Sequence, residues 1–497
     1  MGPEQLLIQS VFLPLLVSPL LALLPKRMGK QAGWAAFAVT AYISALLLTL
    51  ATRIFTGTVE AYVFQVPWAP SLGLTFGFHA DGLGVTMALT IALLASIVAP
   101  YSIRYMDGEQ NMPLYYGLYL LYTAGMLGSV LASDLIEFYL FFELMLLPSW
   151  ALVHGWGTGD RERVAFRYFI YTHMGALLFL LGILATGAAY GSFSLFAIEE
   201  ASAQGQPVGS TAARLIVAAL LVGLMVKLAI FPFHAWLPDT YVEAPTPITA
   251  LLSATTSGIG GYAILRIVFT AFPQTILEFS PGLAAMALVT MVYGALMALA
   301  QDDIKRLLAY SSISQMGYLL FGLASSSALG LVGAIFLYFS HATSKAALFM
   351  ISGVLTRQAG TRSIRQLGGL ASKMPYTAVA MVVGFLSLSG VPPLNGFQSE
   401  WMIFLGFFLH GVVEGGAVRV VLAVAAVMAT ALTLSYSLWT VRRVLFRQLP
   451  SRLSRVKEAS NLFIVPLMVL TVLTVATGVY PQFLNQLLSR VMEALVP

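Results

Sequence analysis

Apolar residues run for about 20 positions at a time along nearly the whole 497-residue chain, with short polar stretches between the runs. A helix of that length crosses a hydrocarbon core of about 30 Å. The pattern predicts spans near residues 5–25, 34–52, 82–103, 113–131, 135–154, 164–190, 213–231, 246–268, 280–300, 305–324, 327–355, 374–410, 417–441 and 460–480. The predicted fold is therefore an all-α polytopic membrane protein with about 14 transmembrane helices. The longest polar connections, 53–81, 191–212, 356–373 and 442–459, are too short to form separate soluble domains.

Two helices are interrupted in a similar way. In "GLMVKLAIFPFHAWLPD", residues 223–239, Pro232 and Pro238 follow Lys227; in "SLSGVPPLNGFQSEWM", residues 387–402, Pro392, Pro393 and Gly396 precede Glu400. Proline removes a backbone donor and clashes with the preceding turn, so neither helix runs through unbroken. Paired broken helices point to inverted-repeat transport machinery with ion sites near the midplane. The expected division is helices 1–3 over 1–110, a first five-helix repeat over 111–270, an inverted second repeat over 271–445, and a C-terminal helix over 446–497.

Charge refines the picture. Charged residues make up 9% of the chain, far below the roughly 25% of a soluble domain, so most of the surface must meet lipid. Loops following odd-numbered helices hold about 18 of the Lys and Arg residues, which by the positive-inside rule makes that side cytoplasmic and turns both termini outward. The net charge of +5 thus reflects topology and does not call for a nucleic-acid partner. Cysteine is absent, which excludes disulfides, thiolate metal sites and iron–sulfur ligation within the chain; no cofactor or metal is expected in it. The first apolar stretch has no basic n-region and contains Pro14 and Pro19, and reads as a retained helix.

Ionisable groups inside the spans carry the candidate chemistry, because each costs about 2.5–3.5 kcal/mol at a helix centre on insertion scales. The deep ones are Glu143, Lys227, His341, Lys345 and Glu400, with His173, His234, Asp239 and Lys305 as secondary candidates. Glu143 and Lys227 read either as a structural ion pair or as groups that titrate. A lysine whose carboxylate partner moves away can be made to release its proton. His341 and Lys345, four residues apart, share a helix face, and a proton could pass between them through one water. His173 has no charged neighbour within a turn. Asp134 and Glu137 read as interfacial and structural, and Asp81, Asp302, Asp303, Lys305 and Arg306 as helix-end residues in solvated or dipole-compensating roles. No P-loop, dinucleotide fingerprint, zinc spacing or nucleophile elbow competes, and the chemistry left to the chain is ion movement.

"KLAIFPFHAWLPDTYVEAPTPITALLSA", "FHADGLGVTM", "LIEFYLFFELMLLPSWAL", "QDDIKRLLAYSSISQMGY" and "SLSGVPPLNGFQSEWMIF" occur in order. Together they resemble the antiporter-like subunits of respiratory complex I, of Mrp-type cation/proton antiporters and of energy-converting membrane-bound hydrogenases. The resemblance is dense over residues 75–410 and closest to the complex I M type, since Glu400 stands where L and N types usually have lysine. It implies a proton-translocating, non-redox subunit of a redox-driven complex, seated among other membrane-arm subunits of an energy-transducing membrane, with protons, or alternatively Na⁺, as cargo. Glu143 and Lys227 would be the switchable pair, His341 and Lys345 the central relay, and Glu400 the exit toward the next subunit.

Two positions depart from the family. Gly258 stands where a helix 8 lysine is common, and Gln315 where many M-type chains have histidine. Either Lys345 takes over the central site, which is the expectation, or the chain does not pump. The rival readings are an Mrp-type Na⁺/H⁺ antiporter subunit and a non-conducting structural spacer.

Overall fold

The computed structural model describes residues 3–205, 209–413 and 416–495. Among them, 13 helices are long and apolar enough to cross a membrane. The remaining expected crossing is a broken pair, Pro375–Leu388 and Asn395–Val413. The core lies along two spans, Thr246–Phe269 and Ala328–Ala359, whose most apolar windows are wholly buried, whereas only 22% of the window in Ala417–Phe446 is buried. Gly, Ala, Ser and Thr dominate "LLSATTSGIGGYA" in the first of these, and small residues let helix backbones approach closely where lipid supplies no hydrophobic drive. That same span contains two π-helical segments, Leu252–Thr256 and Ile264–Phe269. Such wide turns leave carbonyls looking for partners and recur at functional sites.

The first break begins at Ala229, whose φ of 58° ends the Ser210–Leu228 helix. The chain then turns through Pro232 into the short helix Leu237–Glu243 before the Thr246–Phe269 span. Trp236 Nε1 donates to the Val226 carbonyl (2.9 Å) and satisfies one backbone group that the break exposes. The second break turns at Gly390, φ 62°, where a Cβ would also run into the Glu400 carboxylate. Gln315 Nε2 donates to the Leu388 carbonyl there (3.1 Å). Lipid offers no hydrogen bonds, so freed backbone at this depth has to be served by side chains.

Two backbone pairings match residue for residue. Leu135 N donates to Phe193 O and Leu195 N to Ser133 O, while Ile304 N donates to Arg362 O and Ile364 N to Asp302 O. Asp134 and Asp303 each cap the helix that follows.

Polar connection 53–81 is an antiparallel hairpin, Tyr62–Ala69 with Leu74–Ala80, and not an irregular loop. Asp134 and Glu137 anchor it: both are completely buried, Glu137 Oε2 accepting from Gly77 N (3.1 Å) and Asp134 Oδ2 from Thr75 N (3.3 Å). A second addition is the Gln482–Leu495 helix after the last span, which buries Leu484, Leu487, Leu488 and Met492. Asp81 is likewise not a solvated cap. It accepts from Gly84 N (2.8 Å) and is paired with Arg266 Nη2 (2.6 Å), both side chains being about nine-tenths buried.

Hairpin, terminal helix and Asp81 together enclose a cavity of about 390 Å³ that His79 and Arg266 also line. Burial, with Asp81 opposing and Arg266 assisting, lowers His79 to about 4.

Removing one partner of a buried ion pair strands the other, so Arg266→Met is expected to cost about 3–5 kcal/mol, read as a lower unfolding midpoint in detergent. His79 takes its proton near 6.5 when unfolded. Between pH 6.5 and 4 the unfolded chain therefore binds more protons and stability falls as pH drops. His79→Gln should flatten this limb by roughly 2–3 kcal/mol at pH 4, measured as the pH dependence of the same midpoint.

Candidate ion-translocation site

Lys227 lies in the last turn of the Ser210–Leu228 helix, where the carbonyl end of the helix dipole favours a cation. It is 3% exposed, and its ammonium stands over the Phe142 ring, 5.1 Å from the centroid. Glu143 is the charge that acts on it, but the two are not in contact. The Glu143 carboxylate instead meets His173 Nδ1 at 2.9 Å. Sequence spacing hid this partner because His173 lies on another helix, Arg161–Tyr190. Glu143 sits where its span is interrupted, between Leu135–Leu144 and Leu146–Trp156. Pro148 lacks the amide that would serve the Leu144 carbonyl; the Glu143 side chain is 21% exposed, while its Oε1 is buried without a hydrogen-bond partner. The arrangement is a carboxylate with two basic groups in reach, engaged with one of them.

His341 and Lys345 project from the wholly buried part of Ala328–Ala359. Lys345 Nζ donates to the Leu308 carbonyl (3.0 Å) and to Ser311 Oγ of the neighbouring Ile304–Ala324 helix. Neither ring nitrogen of His341 has a protein hydrogen-bond partner. Around them runs a hydroxyl network that the sequence did not flag. Ser344 Oγ donates to Ser387 Oγ (3.0 Å), and Ser387 Oγ to Asn395 Oδ1 (2.7 Å). Asn395 Nδ2 returns to Thr343 Oγ1 at 3.3 Å, and Ser340 and Ser399 hydroxyls meet at 3.4 Å. The relay helix is thereby tied to both sides of the second break. The one available signal was Asn395 itself, an amide within an apolar broken helix.

Glu400 is 5% exposed on Asn395–Val413, next to Ser399 and the Gly390 turn. Tyr318 and Tyr436 are its electrostatic neighbours. Gly258 has no room for a side chain, because a Cβ there would enter the Tyr338 ring. Tyr338 thus fills the space of the missing lysine, one turn from His341. Gln315 is committed to Leu388, as described above.

The secondary candidates divide. Asp239, in the short helix after the first break, pairs with Arg306 (2.9 Å) and Arg167 (3.4 Å) and clamps three elements at one face. His234 is buried between Phe231 and Tyr293, with ring centroids at 5.5 and 4.7 Å. Lys305 departs from the expected solvated role. It is 4% exposed, and its ammonium donates to the carbonyls of Val242 (3.0 Å) and Ala244 (2.5 Å) at the end of the Leu237–Glu243 helix. The structure thus gathers Glu143, His173 and Lys227 at the first break, and places His341, Lys345 and Glu400 around the second.

The model of the family described as NADH:quinone oxidoreductase/Mrp antiporter, TM, matches residues 132–435, and that of NADH-ubiquinone oxidoreductase (complex I), chain 5 N-terminus, matches 68–116. F(420)H(2) dehydrogenase subunit M of Methanosarcina mazei is 35% identical and is matched over 93% of each chain. NAD(P)H-quinone oxidoreductase chain 4 1 of Synechococcus elongatus is 33% identical over 98% of this chain and 90% of its own. Among solved structures, a chain of respiratory complex I from Thermus thermophilus superimposes with TM-score 0.86 at 26% identity, covering 99% of both chains. A chain of the Mrp complex from Dietzia sp. gives 0.86 at 25% identity over the whole of both. The chain therefore belongs to the NADH:quinone oxidoreductase/Mrp antiporter transmembrane family.

Proposed function

We propose that the chain is a proton-translocating membrane subunit of a redox-driven complex of the complex I or membrane-bound hydrogenase kind, seated among other membrane-arm subunits. The observation that carries this reading is the placing of titratable side chains at two helix breaks: half-buried Glu143 and His173 with buried Lys227 at the first, and buried His341, Lys345 and Glu400 at the second, beside the Ser344–Ser387 and Ser340–Ser399 hydroxyl pairs. Glu143, held by His173, leaves Lys227 without its counter-ion, which favours the neutral amine; a swing of the carboxylate to Lys227 favours the ammonium. Lys345, held by one carbonyl and one hydroxyl, serves as the central site in place of the lysine lost at Gly258. The hydroxyl pair Ser340–Ser399 offers a passage toward Glu400, and Glu400 hands the charge to the next subunit.

The domain division into repeats over 111–270 and 271–445 has support in the matched backbone pairings at Leu135–Phe193 and Ile304–Arg362. The face with Arg167, Asp239, Arg306 and Arg362 is taken as cytoplasmic, so that both termini lie outward. An Mrp-type Na⁺/H⁺ antiporter subunit is the second reading, favoured by an equally close superposition on the Mrp complex. It requires transport without electron transfer and a dependence on Na⁺.

In membrane vesicles carrying the intact complex, Lys345→Ala should lower proton translocation per electron by the share this subunit contributes, with assembly unchanged. Undiminished translocation would leave a structural spacer. Glu143→Gln and Lys227→Met should each lower translocation strongly but measurably, and the double variant should be no worse than the more damaging single one, because the two residues act as a unit. Additive losses would contradict a shared switch.

A further inference from the structure

Lys305 is not used by the path described so far, yet it is a buried ammonium at the floor of a cavity. The cavity, about 320 Å³, opens on the arginine-rich face, and its lining includes Glu109, Thr158, Glu243, Arg357 and Arg362. Thr158 and Arg357 at the rim are exposed, Glu243 and Arg362 are half-buried, and Lys305 is buried. Thr158 Oγ1 holds the Glu243 carboxylate at 3.1 Å. The charges acting on Lys305 come from every side: Arg362 from the loop after the relay helix, Asp303 from its own helix cap, and Glu243 from the short helix. A volume of this size accommodates several waters, and polar groups line it.

Lys305 belongs to the same helix that holds Lys345. Its side chain leans toward the helix N-terminus and reaches the cavity, while the Leu308 carbonyl, one turn further in, accepts from Lys345. Polar groups lie between the two levels, without forming one continuous chain of hydrogen bonds. Ala244 O, which accepts from Lys305, also accepts from Thr249 Oγ1 (3.2 Å), and Thr249 Oγ1 lies 3.0 Å from Tyr241 O. The Tyr241 hydroxyl meets Ser257 Oγ (2.8 Å), Ser253 meets Ser312 (2.9 Å), and Ser311, beside Ser312, accepts from Lys345. This seam includes the π-helical segment Leu252–Thr256, where the helix is already widened.

We infer that the cavity between Glu243 and Lys305 is the port through which protons from the arginine-rich face reach Lys345. A proton from cavity water forms an N–H bond with the Lys305 amine, and the ammonium breaks that bond by giving the proton to water that bridges to the Thr249, Tyr241, Ser253 and Ser312 hydroxyls on the way to Lys345; Lys305 ends each passage as it began, and no bond between heavy atoms changes. The inference rests on Lys345 being the central site. The competing role is static, with Lys305 capping the carbonyl end of the Leu237–Glu243 helix as a fixed charge.

Arginine keeps the charge and the donors but does not release a proton at any relevant pH. In vesicles carrying the intact complex, Lys305→Arg should reduce proton translocation per electron to the level of Lys345→Ala. Translocation equal to that of the parent protein would overturn the port while leaving Lys345 in place, whereas a fully active Lys345→Ala would overturn the underlying reading instead. Because the chain has no cysteine, Lys305→Cys supplies a second test that does not depend on arginine fitting. Aminoethyl methanethiosulfonate added from the arginine-rich face should label the chain and restore translocation, and the trimethylammonium analogue should label it without restoring activity. Equal rescue by both reagents, or no labelling from that face, would contradict the port.

Discussion

Everything in this molecule follows from one constraint: hydrocarbon does not hydrogen-bond, so each charge and each freed backbone group within the membrane has to find its partner in the protein. The two are made to solve each other. Interrupting a helix releases carbonyls that an unbroken helix would have consumed, and those carbonyls are what the buried cations and amides hold. Lys305 is held by Val242 and Ala244, and Gln315 holds Leu388; Lys345 differs in binding the Leu308 carbonyl within the unbroken Ile304–Ala324 helix. Among the buried lysines of the described residues, Lys227 alone has neither ion pair nor carbonyl to hold it; it relies on the face of Phe142 and the end of its helix. Its charge state is therefore tied to the position of the Glu143 carboxylate.

That asymmetry gives Glu143 its leverage. The carboxylate has His173 on one side and Lys227 on the other, and in this structure it is engaged with the histidine. The central site lacks the helix 8 lysine that the family resemblance implies, and the structure gives a steric reason. Tyr338 occupies the room over Gly258, so a side chain there would have to displace a ring packed in the middle of the bundle. The load falls on Lys345, whose partners Leu308 and Ser311 belong to the neighbouring helix that also carries Lys305 to the surface cavity.

Much of this was legible from sequence, because long apolar runs and prolines have local consequences. The spans, both breaks, and the deep positions Lys227, Lys345 and Glu400 could be read directly. What was not legible depends on contacts between helices. His173 looked isolated because its partner Glu143 is 30 positions away on another helix. Lys305 and Asp81 looked like ordinary helix-end charges because nothing in "QDDIKR" or "HADGLG" announces that the end is buried. The hairpin was read as loop because strands of seven or eight residues, one of them largely exposed, leave no apolar run of membrane length. The terminal helix escaped for a related reason: its apolar residues form one stripe among Gln482, Asn485, Gln486, Arg490 and Glu493.

The central claim is that these groups form one conducting row. The most direct measurement is a structure of the intact complex, trapped in more than one stage of turnover, at a resolution that shows ordered water. The account predicts water joining Lys227 to His341 and Lys345, and Lys345 to Glu400 past Ser340 and Ser399, with the Glu143 carboxylate moved from His173 to Lys227 in at least one stage. Dry apolar packing between Lys345 and Glu400 at every stage, with Glu143 fixed on His173 throughout, would contradict it.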